Sequence, residues 1–161
     1  MGEMIKVGMA DLKICTSPNA VTTLGLGSCV GVAIRDPQTK VGGLAHVMLP
    51  NSKAVNNNSN VAKFADTGVV ELVRQMEKAG AVRRRMVAKI AGGAQMFALQ
   101  SKSELMQVGR RNVEAVKEVL KELGISILSE DTGLDYGRTV EFYPETGDYV
   151  IKSVGKPVKT I

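Results

Sequence analysis

At 161 residues, with 44% apolar and 23% charged side chains, the chain has the size of one ordinary domain, expected over 1–161, and its composition excludes a disordered protein. Three Phe, three Tyr and no Trp leave little aromatic surface for stacking bases, so no nucleic-acid partner is expected. A net charge of +5 and a pI near 9.3 favour an acidic partner surface.

The opening MGEMIKVGMADLKI lacks the long apolar run of a signal peptide, and no 18-residue apolar span follows. The expectation is a cytoplasmic protein with no direct membrane insertion. Cys15 and Cys29 are too few for a disulfide scaffold, and in a reducing compartment both are expected as free thiols.

In chain order, Val21 to Leu26 and Cys29 to Ile34 read as β-branched, apolar strands. Arg35-Asp36-Pro37 with Lys40 makes a turn into a third strand, Val41 to Leu49, which Pro50 ends. The Asn-rich stretch that follows reads as a mobile surface loop, placed just after His46 where a gating flap would be useful. Asp66 is expected to cap a helix over Thr67 to Ala79, with Val69, Leu72, Val73 and Met76 on one face and Gly80 as its stop.

The run Arg83-Arg84-Arg85 reads as a solvated turn or a docking patch, and Arg85 to Ile90 as a strand. Gly92-Gly93 allows a tight turn before Met96 and Phe97. A second helix is expected from Asn112 to Leu123, stopped by Gly124, then a buried strand from Ile125 to Leu128. Arg138 to Tyr143 and Asp148 to Ile151 flank a Pro-Glu-Thr-Gly turn and form a hairpin. This amounts to an α+β chain of about eight strands and two main covering helices.

The densest chemical signal is Thr23-Leu24-Gly25-Leu26-Gly27-Ser28-Cys29. Two glycines at alternate positions before a thiol permit a turn that presents sulfur and aims N–H groups at one point. Cys29 could equally be a buried strand residue. His46 is the only histidine, so a thiol–imidazole pair has no other base; a half-buried, hydrogen-bonded imidazole is the alternative. Its apolar setting tends to depress its pKa, while a histidine neighbour would lower that of Cys29. A threonine hydroxyl could orient the histidine, but nothing in the pattern selects Thr23 over Thr22, Ser28 or Asp36. Cys15 reads as packing, and Asp131-Thr132-Gly133 as a polar turn. The cysteine and histidine spacing matches no structural zinc site, and no nucleotide-binding glycine motif is present, so neither a metal nor another cofactor is expected.

TLGLGSCVGVAIRD, GGLAHVMLP, KFADT, IAGGAQMF, GRRNVEAV and SEDTG with GRTVEFYPETG resemble, in this order and over nearly the whole chain, the CheD family of chemoreceptor glutamine deamidases. The resemblance implies Cys29 as nucleophile, His46 as general base and Thr23 as the threonine that orients it, with backbone N–H groups near Gly27 and Ser28 holding the oxyanion. It also implies an α/β/β/α layered sandwich like that of toxin deamidases of the cytotoxic necrotizing factor kind. The implied partners are the cytoplasmic helical region of methyl-accepting chemotaxis receptors and a CheC-type chemotaxis phosphatase. Leu134 departs from the pattern, where a second glycine after Asp131-Thr132-Gly133 is expected. Two rivals share these residues: a protein glutamate methylesterase, and a non-catalytic regulator of the phosphatase.

Overall fold

A computed structural model describes residues 2–95 and 107–161. The strands are β1 (Met4–Val7), β2 (Leu12–Thr16), β3 (Ala20–Leu26), β4 (Val30–Asp36), β5 (Val41–Val47), β6 (Val87–Gly92), β7 (Ser126–Thr132), β8 (Arg138–Tyr143), β9 (Asp148–Lys152) and β10 (Lys159–Thr160). Two helices, α1 (Ala65–Lys78) and α2 (Val108–Glu122), complete the fold. Met96 and Phe97, expected after the Gly92-Gly93 turn, lie outside the described residues.

The strands form two five-stranded sheets, the first in the order β1-β3-β8-β9-β10 and the second β2-β5-β4-β6-β7. Each is mixed: β1 runs parallel to β3, and β6 runs parallel to β7. A parallel neighbour cannot be reached by a tight turn, and α2 lies in the connection from β6 to β7.

The inner faces of the two sheets meet through Val21, Leu26, Val140, Phe142, Tyr149 and Ile151 on one side and Ala33, Leu44 and Ala91 on the other. The opposite face of the second sheet packs Val32, Ile34, Ala45 and Ile90 against Val69, Leu72 and Met76 of α1 and Val116 and Leu120 of α2. Strands β4 and β5 are thus covered on both faces. Every residue of β5 is buried, which explains a run without polar alternation.

The α+β class with two main helices is as expected, while among the described residues no helix covers the first sheet, as the four-layer sandwich would need. Among the described residues both helices pack on the second sheet, giving helix, sheet, sheet. The outer face of the first sheet carries Thr139, Glu141 and Tyr143 from β8 and Val150 and Lys152 from β9, alternating with core residues. Glu141 pairs there with Lys152 at 3.0 Å, so this face is at home in water without a helix.

Among the described residues ten strands form, where about eight are expected and seven are placed by the sequence. The additional ones are β1, β2 and β10, four, five and two residues long, too short for alternation to separate them from loop. The strand expected to be buried at Ile125 to Leu128 is β7, an edge of the second sheet, with Leu128 59% exposed. Gly80 and Gly124 do stop the helices, at φ of +106° and +75°. Asp66, however, is not the cap of α1. It sits inside the first turn and accepts from Ser52 N–H at 3.0 Å and Ser52 Oγ at 2.8 Å.

The basic run is not simply solvated either. Arg85 reaches back to the fully buried Asp36, donating from Nη2 at 2.7 Å and Nε at 3.0 Å. Asp36 also accepts from the backbone N–H groups of Val82 and Gln38, both at 2.9 Å, so it joins the β4 turn to the entry of β6.

The Arg85 guanidinium holds the Asp36 carboxyl well below the usual carboxylate range. A depressed folded pKa means that its stabilisation is present above the ordinary value of 3.8 and is lost as pH falls toward the folded one. Asp36→Ala is expected to cost about 3 kcal/mol by urea unfolding at neutral pH, because the Val82 and Gln38 N–H groups and the Arg85 guanidinium lose a shared acceptor that is fully buried. It should also flatten the acid limb of the stability profile.

Candidate active site

The turn that carries Cys29 begins in a β-bulge. Thr23 pairs with Val140 and Leu26 with Arg138, so β3 holds one more residue than β8, and Gly25 takes a φ of +69° within the bulge. The extra residue lets both Thr23 and Leu26 face the other sheet, and both are fully buried. After Leu26 the chain turns through Gly27 and Ser28 and enters β4 just past Cys29.

Three successive carbonyls of this turn are tied down. Gly27 O accepts from Ala94 N–H at 2.8 Å, Ser28 O from Asn112 Nδ2 at 2.9 Å, and Cys29 O from Gly93 N–H at 2.8 Å. A trans peptide turns its N–H opposite to its C=O, so the N–H groups of Ser28 and Cys29 face away from these partners. Gly92 and Gly93, at φ of +108° and +66°, make the supporting turn, and a Cβ on Gly92 would stand 2.2 Å from Cys29 O.

His46 is opposite Gly31 in the β4–β5 ladder, and its side chain is fully buried. Cys29 stands two residues before Gly31 and packs with residues of the inter-sheet core, so thiol and imidazole leave the same face of the second sheet. They are diagonal neighbours, whose backbones are about 7–8 Å apart in such a ladder, within reach of long side chains.

Across the interface, Thr23 Oγ1 lies 2.7 Å from His46 Nδ1 and donates to Val7 O at 2.8 Å. A hydroxyl has one proton. With that proton on Val7 O, Oγ1 accepts from the imidazole, so Nδ1 carries hydrogen and Nε2 presents a bare lone pair. Among the described residues Nε2 has no hydrogen-bond partner, Sγ of Cys29 included. Such loose spacing between base and nucleophile is common before substrate closes the site.

Burial pushes the Cys29 thiol up from 9.0, opposed by its own backbone N–H, and depresses His46 below 6.5. The expectation for the histidine holds. The lowered thiol pKa does not, because desolvation outweighs any pull from a neutral imidazole. Both shifts favour the uncharged forms of thiol and imidazole over an ion pair.

Of the four groups that could have oriented the imidazole, Thr23 is the one that meets it. Thr22 faces outward and donates to Val140 O at 2.7 Å, Asp36 is occupied by Arg85, and Ser28 belongs to the turn. Cys15 is buried in β2, its thiol pushed up to about 11 by desolvation. Asp131 is an internal ion-pair centre rather than a simple turn residue, binding Arg138 Nε at 3.0 Å and Lys159 Nζ at 3.1 Å.

The Asn-rich stretch is exposed yet anchored. Asn58 donates to Ser52 O at 3.0 Å, Asn60 to Ala10 O at 3.1 Å, and Asn51 and Asn60 cap short 3₁₀ turns. Leu134 has a φ of +61°, which gives a physical reason to expect glycine there. Sequence reasoning missed Asn112, which it read as the start of a helix, and Val7, whose backbone carbonyl leaves no side-chain signal.

A thiol and an imidazole held between two sheets, the imidazole hydrogen-bonded to a threonine, mark an α+β protein with a candidate active site. The model of the family described as CheD chemotactic sensory transduction matches residues 48–153, and the chain belongs to the CheD family. A probable chemoreceptor glutamine deamidase CheD from Lachnoclostridium phytofermentans is 62% identical over 161 residues, all of both chains. A chemoreceptor glutamine deamidase CheD from Halalkalibacterium halodurans is 49% identical, again over all of both chains. These alignments include Thr23, Cys29 and His46, which precede the residues matched by the family model. A crystal structure of a Neisseria meningitidis protein, family-model DUF152, covers 83% of this chain and 65% of its own at a TM-score of 0.51 and 8% identity, a likeness of fold alone.

The shifts set a pH window for stability. Below 6.5 the unfolded chain takes up the histidine proton before the folded one does, so stability falls on acidification. Above 9.0 the unfolded thiols ionise first, so stability falls again as pH rises toward the raised folded values. Calorimetric Tm across this range should give a dome, and Cys15→Ala should reduce its alkaline slope.

Proposed function

We propose that this protein hydrolyses specific glutamine side chains of methyl-accepting chemotaxis receptors to glutamate and releases ammonia. The observation that carries the reading is the Thr23–His46 contact at 2.7 Å, which leaves a bare Nε2 lone pair on the face it shares with the Cys29 thiol. The names of the relatives support the substrate.

His46 Nε2 takes the Cys29 proton as sulfur attacks the side-chain carbonyl carbon. The oxyanion is held by backbone N–H groups of the Gly27-Ser28-Cys29 turn, which the tied carbonyls keep turned away from Ala94, Asn112 and Gly93. The tetrahedral adduct collapses, the C–N bond breaks, and His46 returns the proton to the departing ammonia. Water, deprotonated by Nε2, then attacks the thioester; the C–S bond breaks, the thiol is reprotonated and glutamate leaves. Thr23 keeps hydrogen on Nδ1 throughout, so the base is always Nε2. No metal or organic cofactor is required by this sequence of steps, which it shares with toxin deamidases of the cytotoxic necrotizing factor kind.

The receptor region is its cytoplasmic helical bundle, and the net charge of +5 suits encounter with an acidic surface. A CheC-type chemotaxis phosphatase is the second partner in this reading, docking over the same rim and competing with the receptor; the family resemblance supports it.

The test is peptide mass spectrometry of a glutamine-bearing receptor cytoplasmic fragment incubated with enzyme. Conversion of amide to acid is expected with the wild type and is expected to vanish with Cys29→Ala. His46→Ala should lower kcat roughly 10²- to 10⁴-fold. Thr23→Val should lower it roughly 10- to 100-fold through misplacement of the ring. The rate should rise through a pKa below 6.5, as His46 becomes neutral, and then level off. Methyl loss from a methylated fragment without glutamine conversion would replace the deamidase by the methylesterase. No turnover of either, with phosphatase binding retained, would leave the regulator.

A further inference from the structure

The β4–β5 ladder gives out at the pair Val30–Val47, one residue beyond each of which lie Cys29 and Met48. At that open end a single side chain replaces the missing rungs. Asn112, fully buried on α2, donates from Nδ2 to Ser28 O and to Met48 O, both at 2.9 Å. One carbonyl belongs to the residue before Cys29, and the other to the second residue after His46.

Both targets are acceptors, so the amide has one orientation, with its two N–H bonds directed at the two strands. The consequence is that Asn112 Oδ1 is buried without a partner among the described residues. A buried polar atom left unsatisfied in this way calls for a compensating use of the group. The first turn of α2 supports the same region. A Cβ on Gly109, one turn before Asn112, would stand 2.3 Å from Ala94 O and 2.6 Å from Gly93 O. Gly93 and Ala94 are the residues whose N–H groups hold Cys29 O and Gly27 O.

We propose that Asn112 is a positioning residue for the deamidation: it bridges the Cys29 turn and the His46 strand so that α2 sets the separation of thiol and imidazole. This rests on the reading of Cys29 and His46 as the reacting pair. Asp in place of Asn keeps the shape and replaces both donors by a carboxylate facing two carbonyls. Ser keeps a single donor.

The experiment compares Asn112→Asp and Asn112→Ser with the wild type on the same receptor fragment, together with iodoacetamide alkylation of each cysteine. The expected result is a kcat about 10- to 100-fold lower with KM nearly unchanged, the serine variant less affected than the aspartate. Alkylation of Cys29 should become faster as its turn loosens, while that of Cys15 stays the same. Wild-type kcat in either folded variant, or an unchanged ratio of Cys29 to Cys15 alkylation, overturns the proposal. Loss of fold in Asn112→Asp shifts the decision to Asn112→Ser and to the alkylation ratio. Absence of Cys29-dependent conversion by the wild type itself would instead overturn the deamidase reading, and the alkylation ratio would still decide whether Asn112 positions the thiol.

Discussion

A hydroxyl on one sheet and an imidazole on the other meet at 2.7 Å between the two sheets, and the geometry of the candidate site is built on that contact. Leu26, Leu44, Phe142 and Tyr149 pack the interface around it, where leaving Nδ1 without a partner would be costly. Thr23 resolves the difficulty by accepting from Nδ1 while donating to Val7 O. One sheet supplies the hydroxyl that sets the tautomer, and the other carries the imidazole and the thiol.

The low polarity has a further effect. Desolvation raises the thiol and lowers the imidazole, and both shifts favour the uncharged pair.

Order around the pair comes from the second sheet and its helices. The carbonyls of Gly27, Ser28 and Cys29 are held by Ala94, Asn112 and Gly93, and the far end of β4 is pinned by Asp36 and Arg85. Strand β4 is thereby fixed at both ends, with the thiol at one of them. The exposed outer face of the first sheet has no corresponding restraint to provide, and its alternating Thr139, Glu141 and Tyr143 reflect that.

By itself the sequence determined the parts whose signal is local. Glycines before Cys29, a lone His46, helical periodicity in α1 and α2, and the hairpin of β8 and β9 were all legible, because turns and amphipathic periods are set by neighbouring residues. The six motifs named the family. The tertiary structure alone decided which sheet each strand joined, since β1 and β2 are too short to show a period and β5 is covered on both faces. It also decided the partners of Asp36, Asp66 and Asn112, each of which bonds to a group at least 14 residues away. A cap at Asp66 and a solvated Arg85 were reasonable local readings, overridden because buried carboxylates and donors must find partners wherever the fold places them. The thiol pKa was likewise out of reach of the sequence, for it is set by how much water the two sheets exclude.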